Sequence, residues 1–196
     1  MTEINWLTDE IGTVTGFLSA AECDEYVRWG EAIGFDEATV STPGGMLMMK
    51  RVRNNDRVMV DDPKRAEDLY RRLAPHLAPR FQGKWEPIGL NERLRLYRYD
   101  VGQQFEWHRD GYFRRSDEQW SLFTFMVYLN DDFEGGATSF SINEVGVAPD
   151  GMLRITPKTG MALLFHHPVV HRGDVVTAGR KYVLRTDIMY ARREKA

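Results

Sequence analysis

The chain has 196 residues, is 42% hydrophobic and 12% aromatic, and sets 26 Lys and Arg against 29 Asp and Glu for a net charge of −3. That suits one domain with one sizeable core, excludes a disordered or collagenous chain, and gives no reason to expect a nucleic-acid partner. The single cysteine, Cys23, excludes an intrachain disulfide and a cysteine-based zinc cluster.

The N-terminal MTEINWLTDE is acidic and lacks the apolar run of a signal peptide. No stretch approaches the ~20 apolar residues of a membrane span, so a soluble, cytoplasmic protein is expected. Ser19 followed by Glu22 makes a capping box. Leu18, Cys23, Tyr26, Val27 and Ile33 then recur on a helical period, which predicts a helix over 19–34. The next stretch, TPGGMLMMKRVRNNDRVMVDD, fits either a strand or a mobile loop. A second helix is predicted over 61–77: Asp62 can cap it, Pro63 fits its first turn, and Ala66, Leu69, Tyr70, Leu73 and Leu77 form its apolar stripe.

From residue 93 the pattern changes. RLRLYRYD alternates and SLFTFMVYLN reads as a buried strand. MLRITP, MALLFHH and KYVLRTDIMY follow, with turn signals at Asp131-Asp132, Gly135-Gly136, Pro149-Asp150-Gly151 and Gly160. Short, regularly spaced strands suggest a sandwich or jelly roll. Helices first and strands after predict an α+β fold with the helices on one face. Two helices alone bury too little surface to fold independently. Residues 1–196 are therefore expected to form a single domain, with 1–90 a helical support and 91–192 the strand core carrying the site.

One stretch, FEWHRDGYF at 105–113, points to chemistry. H-R-D opens the catalytic loop of protein kinases, but Arg115 stands where that loop needs an asparagine. The chain also has neither a D-F-G nor a glycine-rich phosphate loop. On an extended strand, residues i and i+2 share a side, so His108 and Asp110 can hold one metal ion with Arg109 facing away. A third ligand must come from another strand. His76 lies in a predicted helix beside Pro75, which leaves His166, His167 and His171 in MALLFHHPVVH. Two histidines and one carboxylate make the facial triad of non-haem iron(II) sites.

Four blocks stand in order along the second half. YRYDVGQQFEWHRD carries Tyr99, Gly102, Phe105, His108 and Asp110. YLNDDFEGGATSF carries Tyr128, Leu129, Gly135, Gly136, Thr138 and Phe140. PKTGMALLF follows, and HRGDVVTAGRKY carries His171, Gly173, Val176, Gly179, Lys181 and Tyr182. From about Leu94 to Tyr190 these blocks resemble the iron(II)- and 2-oxoglutarate-dependent dioxygenases, with the closest likeness to the prolyl 4-hydroxylase branch. The first 90 residues show no comparable motif.

The resemblance implies a double-stranded β-helix (jelly-roll) core with supporting N-terminal helices. It selects His171 as the third ligand beside His108 and Asp110, and implies Fe(II), 2-oxoglutarate as cosubstrate, O2, and ascorbate as reductant. Lys181 would hold the distal carboxylate of 2-oxoglutarate, with the Tyr99 hydroxyl and Thr138 beside it. Arg185 shares the strand face of Lys181 and is a second candidate, whereas Arg180 points away. Tyr97 and Arg95 share the alternation of Tyr99 and should line the cosubstrate or substrate site, unless Arg95 pairs with an acidic residue at the barrel rim. His166 and His167 are expected at a rim or in a loop.

The implied reaction hydroxylates an unactivated C–H bond, releasing succinate and CO2, on a peptidyl, prolyl-type substrate. A free amino acid or other small metabolite is the alternative. The loop around 44–60 and DGYFRRSDEQW would border the substrate entrance with Arg51, Arg53, Arg57, Arg114, Arg115, Tyr112, Phe113 and Trp120, a lining suited to an anionic or polar partner. A non-catalytic jelly-roll module is opposed by the complete triad and retained cation, and a zinc hydrolase by the lack of H-E-x-x-H.

Overall fold

The structure, a computed structural model, describes residues 3–38, 53–141 and 151–193, together with the backbone of 40–42 and 45–47. In chain order the elements are β1 (Asn5–Thr8), β2 (Ile11–Val14), α1 (Ala20–Ile33), β3 (Asp36–Glu37), β4 (Val40–Thr42), β5 (Gly45–Leu47), β6 (Asp56–Asp61), α2 (Pro63–Leu73), β7 (Trp85–Leu90), β8 (Arg93–Tyr99) and β9 (Phe105–His108). They continue as β10 (Gln119–Tyr128), β11 (Glu134–Gly135), β12 (Thr138–Ser141), β13 (Met152–Ile155), β14 (Ala162–His166), β15 (His171–Gly173), β16 (Val176–Ala178) and β17 (Lys181–Arg192). A large sheet runs β1-β2-β14-β10-β17-β8-β6-β3, with β7 also paired to β17, and a small one runs β13-β12-β15-β9. Facing each other across a shared core, the two sheets are the halves of a double-stranded β-helix.

Both predicted helices form, for the predicted reasons, but α2 ends at Leu73, where a 3₁₀ turn over Ala74–His76 that contains Pro75 takes over. Ser19 Oγ accepts the Glu22 N–H at 3.3 Å while Glu22 Oε2 accepts the Ser19 N–H at 2.9 Å. Asp62 Oδ1 accepts the Arg65 N–H at 2.9 Å, and Pro63 occupies the first turn of α2. Ala66, Leu69 and Leu73 are buried as the stripe requires, but Ile33, at the end of α1, is 47% exposed.

The strands of the large sheet divide two cores by alternation. Their outer side chains, among them Phe123, Phe125 and Val127 of β10, Leu94 and Leu96 of β8, and Leu184 of β17, pack with α1 and α2. Their inner side chains, among them Tyr97, Tyr99, Tyr128, Leu163, Phe165 and Val183, pack with Phe140 and Ile155 of the small sheet.

The first 90 residues also supply β1, β2, β3 and β6 to the large sheet, and β7 pairs with β17. The sequence does not mark β1 and β2 because each has four residues, too few for a period to show, and β2 is buried at every position. Gly160 shows why one turn signal is a glycine: its φ is +75°, and an added Cβ would lie 1.9 Å from the carbonyl oxygen of Leu18. Pro149 and Asp150, from another turn signal, lie outside the described residues. Among the described residues no helix is long and apolar enough to cross a membrane.

Candidate metal centre and its pocket

Strands β9 and β15 are neighbours in the small sheet, in a register that pairs His171 with His108. Their imidazoles therefore stand side by side, with ring centroids 4.2 Å apart. β9 ends at His108, and two residues later Asp110 is fixed by its own N–H, which donates to the His167 carbonyl at 3.1 Å. Nε2 of His108 and Nε2 of His171 each stand 3.7 Å from an oxygen of Asp110. One ligand atom from each of the three residues lies within 4.8 Å of the others.

The proton positions follow from the partners. His108 Nδ1 lies 2.7 Å from the Glu106 carbonyl and His171 Nδ1 lies 3.0 Å from the Val169 carbonyl. A carbonyl only accepts, so each ring carries its proton on Nδ1 and keeps a bare lone pair on Nε2. Burial, and then the neighbouring imidazole of His171, depress His108 to about 3, and burial depresses His171 as well. Burial pushes the Asp110 carboxyl up, but Arg185 and the two imidazoles outweigh it and hold the group well below the usual carboxylate range. Two neutral imidazoles and one carboxylate converging on a point are a donor set that fits a divalent iron.

Asp110 is oriented from behind. Its Oδ2 accepts from Thr124 Oγ1 at 2.6 Å, and His167 holds Thr124 at 3.0 Å through Nδ1 and Ser121 at 2.9 Å through Nε2. His167 is thus buried in a hydrogen-bonded relay, not placed at a rim as its sequence context suggests. His166 does reach the surface side, where its Nδ1 pairs with Glu10 at 2.6 Å.

Between the sheets, Lys181 opens β17 opposite Tyr99. Its ammonium donates to the Gly136 carbonyl at 2.6 Å and lies 5.3 and 5.4 Å from the ring centroids of Tyr99 and Tyr128. Burial pulls Lys181 down to about 7. Thr138 stands close by, accepting from the Tyr128 hydroxyl at 2.7 Å. A cleft joins Lys181 to the triad, walled by Tyr99, Phe105, Thr138 and Phe165.

Arg185 lies at the triad end of this cleft. Its Nη2 is 2.9 Å from Asp110 Oδ1 and 3.5 Å from Asp187 Oδ1, and its Nη1 donates to the Tyr97 hydroxyl at 3.4 Å. Arg95, opposite it in register, pairs with Asp187 at 3.2 Å, an acidic partner that is buried and not at the barrel rim. The Arg53 guanidinium carbon lies 4.5 Å from the Tyr97 ring centroid and 4.6 Å from that of Phe105, while its Nε donates to Asn55 at 2.7 Å. Burial pushes the Tyr97 hydroxyl up, but Arg185, Arg53 and Arg95 outweigh it and bring it down to about 8.

Arg180 points outward to Asp100 at 2.5 Å, as the alternation predicts. Arg114 and Arg115 are taken up by Asp117 and Glu92, and Arg51 lies outside the described residues. Sequence reasoning missed Thr124, the relay through His167 and the burial of Arg53. A signal for Thr124 existed: with Ser121 it is a polar residue inside an otherwise apolar buried strand.

Residues 94–186 match the model of the 2OG-Fe(II) oxygenase superfamily. The chain is 22% identical over 190 residues to a putative prolyl 4-hydroxylase of Acanthamoeba polyphaga mimivirus, covering 87% of this chain and 70% of the relative. It is 38% identical over 79 residues to the probable prolyl 4-hydroxylase 11 of Arabidopsis thaliana, covering 40% of this chain and only 26% of that relative's length. Among solved structures, the viral collagen prolyl hydroxylase from Paramecium Bursaria Chlorella virus-1, in its 2OG complex, is similar with a TM-score of 0.60 and 19% identity, over 93% of this chain and 97% of that one. The prolyl hydroxylase of Trichoplax adhaerens, in complex with a hypoxia inducible factor peptide fragment, gives a TM-score of 0.68 and 17% identity, over 92% of this chain and 84% of that one.

Proposed function

We propose that this 2OG-Fe(II) oxygenase of the prolyl 4-hydroxylase-like branch hydroxylates an unactivated C–H bond of a peptidyl, prolyl-type substrate. The observation that carries the reading is the meeting of two Nδ1-protonated histidines and an ionised aspartate at one end of a cleft whose other end holds a buried lysine. His108, Asp110 and His171 would hold the iron. When bound, the iron supplies the redox chemistry by which O2 is divided: one atom enters the C–H bond as hydroxyl, the other leaves in succinate as 2-oxoglutarate loses CO2.

The protein's own part is positioning and exclusion of water. Thr124 and His167 keep the Asp110 carboxylate turned to the metal point. Lys181, with the Tyr99 hydroxyl and Thr138 beside it, would receive the distal carboxylate of 2-oxoglutarate, because a buried carboxylate needs a charged partner. Phe105, Phe140 and Phe165 pack around the histidine rings and keep water from the reacting end. Ascorbate would serve as reductant. The peptide complex of the Trichoplax adhaerens neighbour supports a peptidyl substrate.

The test is iron-dependent release of succinate from 2-oxoglutarate, followed by mass spectrometry of a mixed panel of proline-containing peptides and free amino acids. Succinate release with a peptide gaining one oxygen is expected. Product from free amino acids alone would move the reading to a small-metabolite hydroxylase. Absence of iron-dependent succinate release under every condition would sink the enzymatic reading.

A further inference from the structure

We propose that Arg185 and Arg53, backed by Arg95, form a second anion site beside the metal centre, which receives a carboxylate group of the primary substrate. This rests on the oxygenase reading above and names a property of the substrate that the reading leaves open.

The first argument is distance. Lys181 and Arg185 share a face of β17 but are four residues apart, roughly 13 Å along a strand. Lys181 is held against Gly136, and Arg185 against the metal ligand Asp110. A five-carbon diacid bound to the metal by one end and to Lys181 by the other leaves Arg185 on the metal side of its chain. Arg185 is thus poorly placed for the distal carboxylate and well placed for a second ligand that must approach the same point.

The second argument is charge. Arg185, Arg95 and Arg53 gather around Tyr97, and Arg57 stands opposite Tyr97 in register, on the same face. The carboxylates that pair with Arg185 and Arg95 are Asp110 and Asp187. A metal ion would draw on Asp110 and add positive charge, leaving Asp187 shared between Arg95 and Arg185. Buried cations are costly unless paired and hydrogen-bonded. Arg53 is 4% exposed, and its Nη2 is buried with no hydrogen-bond partner among the described residues; Nε of Arg185 is likewise unpartnered there. Rigid guanidinium forks with spare donors suit a carboxylate, which accepts two parallel hydrogen bonds.

The third argument is place. Arg185 lines the cleft, and Arg53 lies against Tyr97 and Phe105, two of its walls. A carboxylate held there would bring the neighbouring carbons of the same molecule to the reacting end. Two sources carry this chemistry: the free carboxyl of a small acid, and an acidic side chain next to the target residue of a peptide.

The experiment uses the full chain loaded with Mn(II), which occupies such sites without turnover, and with saturating 2-oxoglutarate. The first titration, of 2-oxoglutarate, tests the oxygenase reading by itself: if it does not bind, that reading falls and this inference falls with it. Acetate and acetamide are then titrated by calorimetry into the loaded protein. Acetate should bind saturably and at least about tenfold more tightly than its neutral counterpart. Arg53→Gln should remove most of that preference while 2-oxoglutarate affinity stays within about twofold. Equal binding of acetate and acetamide, or undiminished acetate binding by folded Arg53→Gln, overturns the proposal. Should Arg53→Gln fail to fold, the wild-type comparison still decides. N-acetylproline against its amide, and acetyl-Pro-Asp-amide against acetyl-Pro-Asn-amide, then distinguish the two sources.

Discussion

The two faces of the large sheet are made by the same strands, and they are built to opposite rules. The face toward α1 and α2 is almost wholly apolar, with Phe123, Phe125, Val127, Leu94, Leu96 and Leu184 packed under the helices. One residue along each strand, the inner face carries Thr124, Met126, Arg95, Tyr97, Lys181 and Arg185. The apolar side chains of the outer face are stabilised by burial alone, about 25 cal/mol for each Å² of apolar surface removed from water. The inner face buries cations and carboxylates, which burial penalises. Its polar groups are held by each other and by backbone carbonyls, and Nε of Arg185 has no hydrogen-bond partner among the described residues. Stability is thus concentrated on one side of a strand and ligand capacity on the other, which gives mutations on the two faces separable consequences.

The sharpest break should come at the metal point. His171→Ala should leave a folded protein with no detectable iron-dependent succinate release and greatly weakened iron retention. His167→Ala should keep iron and lose about 10- to 100-fold in activity, because it acts through Thr124 on the orientation of Asp110. Iron content and succinate release measured together would overturn the assignment if the two variants exchanged behaviours.

Phe125→Ala tests the outer face. The ring is fully buried and packs edge-on against Phe17 at 5.2 Å. Its loss should cost about 3–5 kcal/mol of stability in denaturant unfolding, while the 2-oxoglutarate affinity of the protein that remains folded stays unchanged. A large change in that affinity would mean that the faces are coupled after all.

A comparable effect is expected at Lys181. Lys181→Ala should weaken 2-oxoglutarate binding about a hundredfold or more, since loss of a buried charged partner costs roughly 3–5 kcal/mol. Arg185→Ala should do less; the reverse order would make Arg185 the distal-carboxylate partner. The wild type should also show a pH signature. Burial lowers Lys181 to about 7. Below that pH the ammonium is already present. Above it, binding must take up a proton, so affinity should fall about tenfold per pH unit. Lys181→Arg, charged throughout, should bind with little dependence on pH. Titration of the metal-loaded protein between pH 6.5 and 8.5 measures this, and a flat wild-type profile would refute it.

By itself the sequence determined what local chemistry can determine. The capping box at Ser19 and the N-cap at Asp62 fix helix starts by satisfying orphan N–H groups. Alternation marks β8 and a continuous apolar run marks β10, and the spacing of His108 and Asp110 puts two candidate ligand types on one short segment. Tertiary structure decided what depends on the meeting of distant segments. The register of β15 against β9 sets His171 beside His108 and leaves His167 behind Asp110. The pairing of β8 with β17 places Lys181 by Tyr99 and Arg185 by Arg95, at opposite ends of one cleft. Arg53, in a stretch that reads equally as strand or loop, is a buried cation over which Tyr97 and Phe105 from other strands close. A strand's own residues reveal its period but not its register, and a slip of one residue would exchange its two faces.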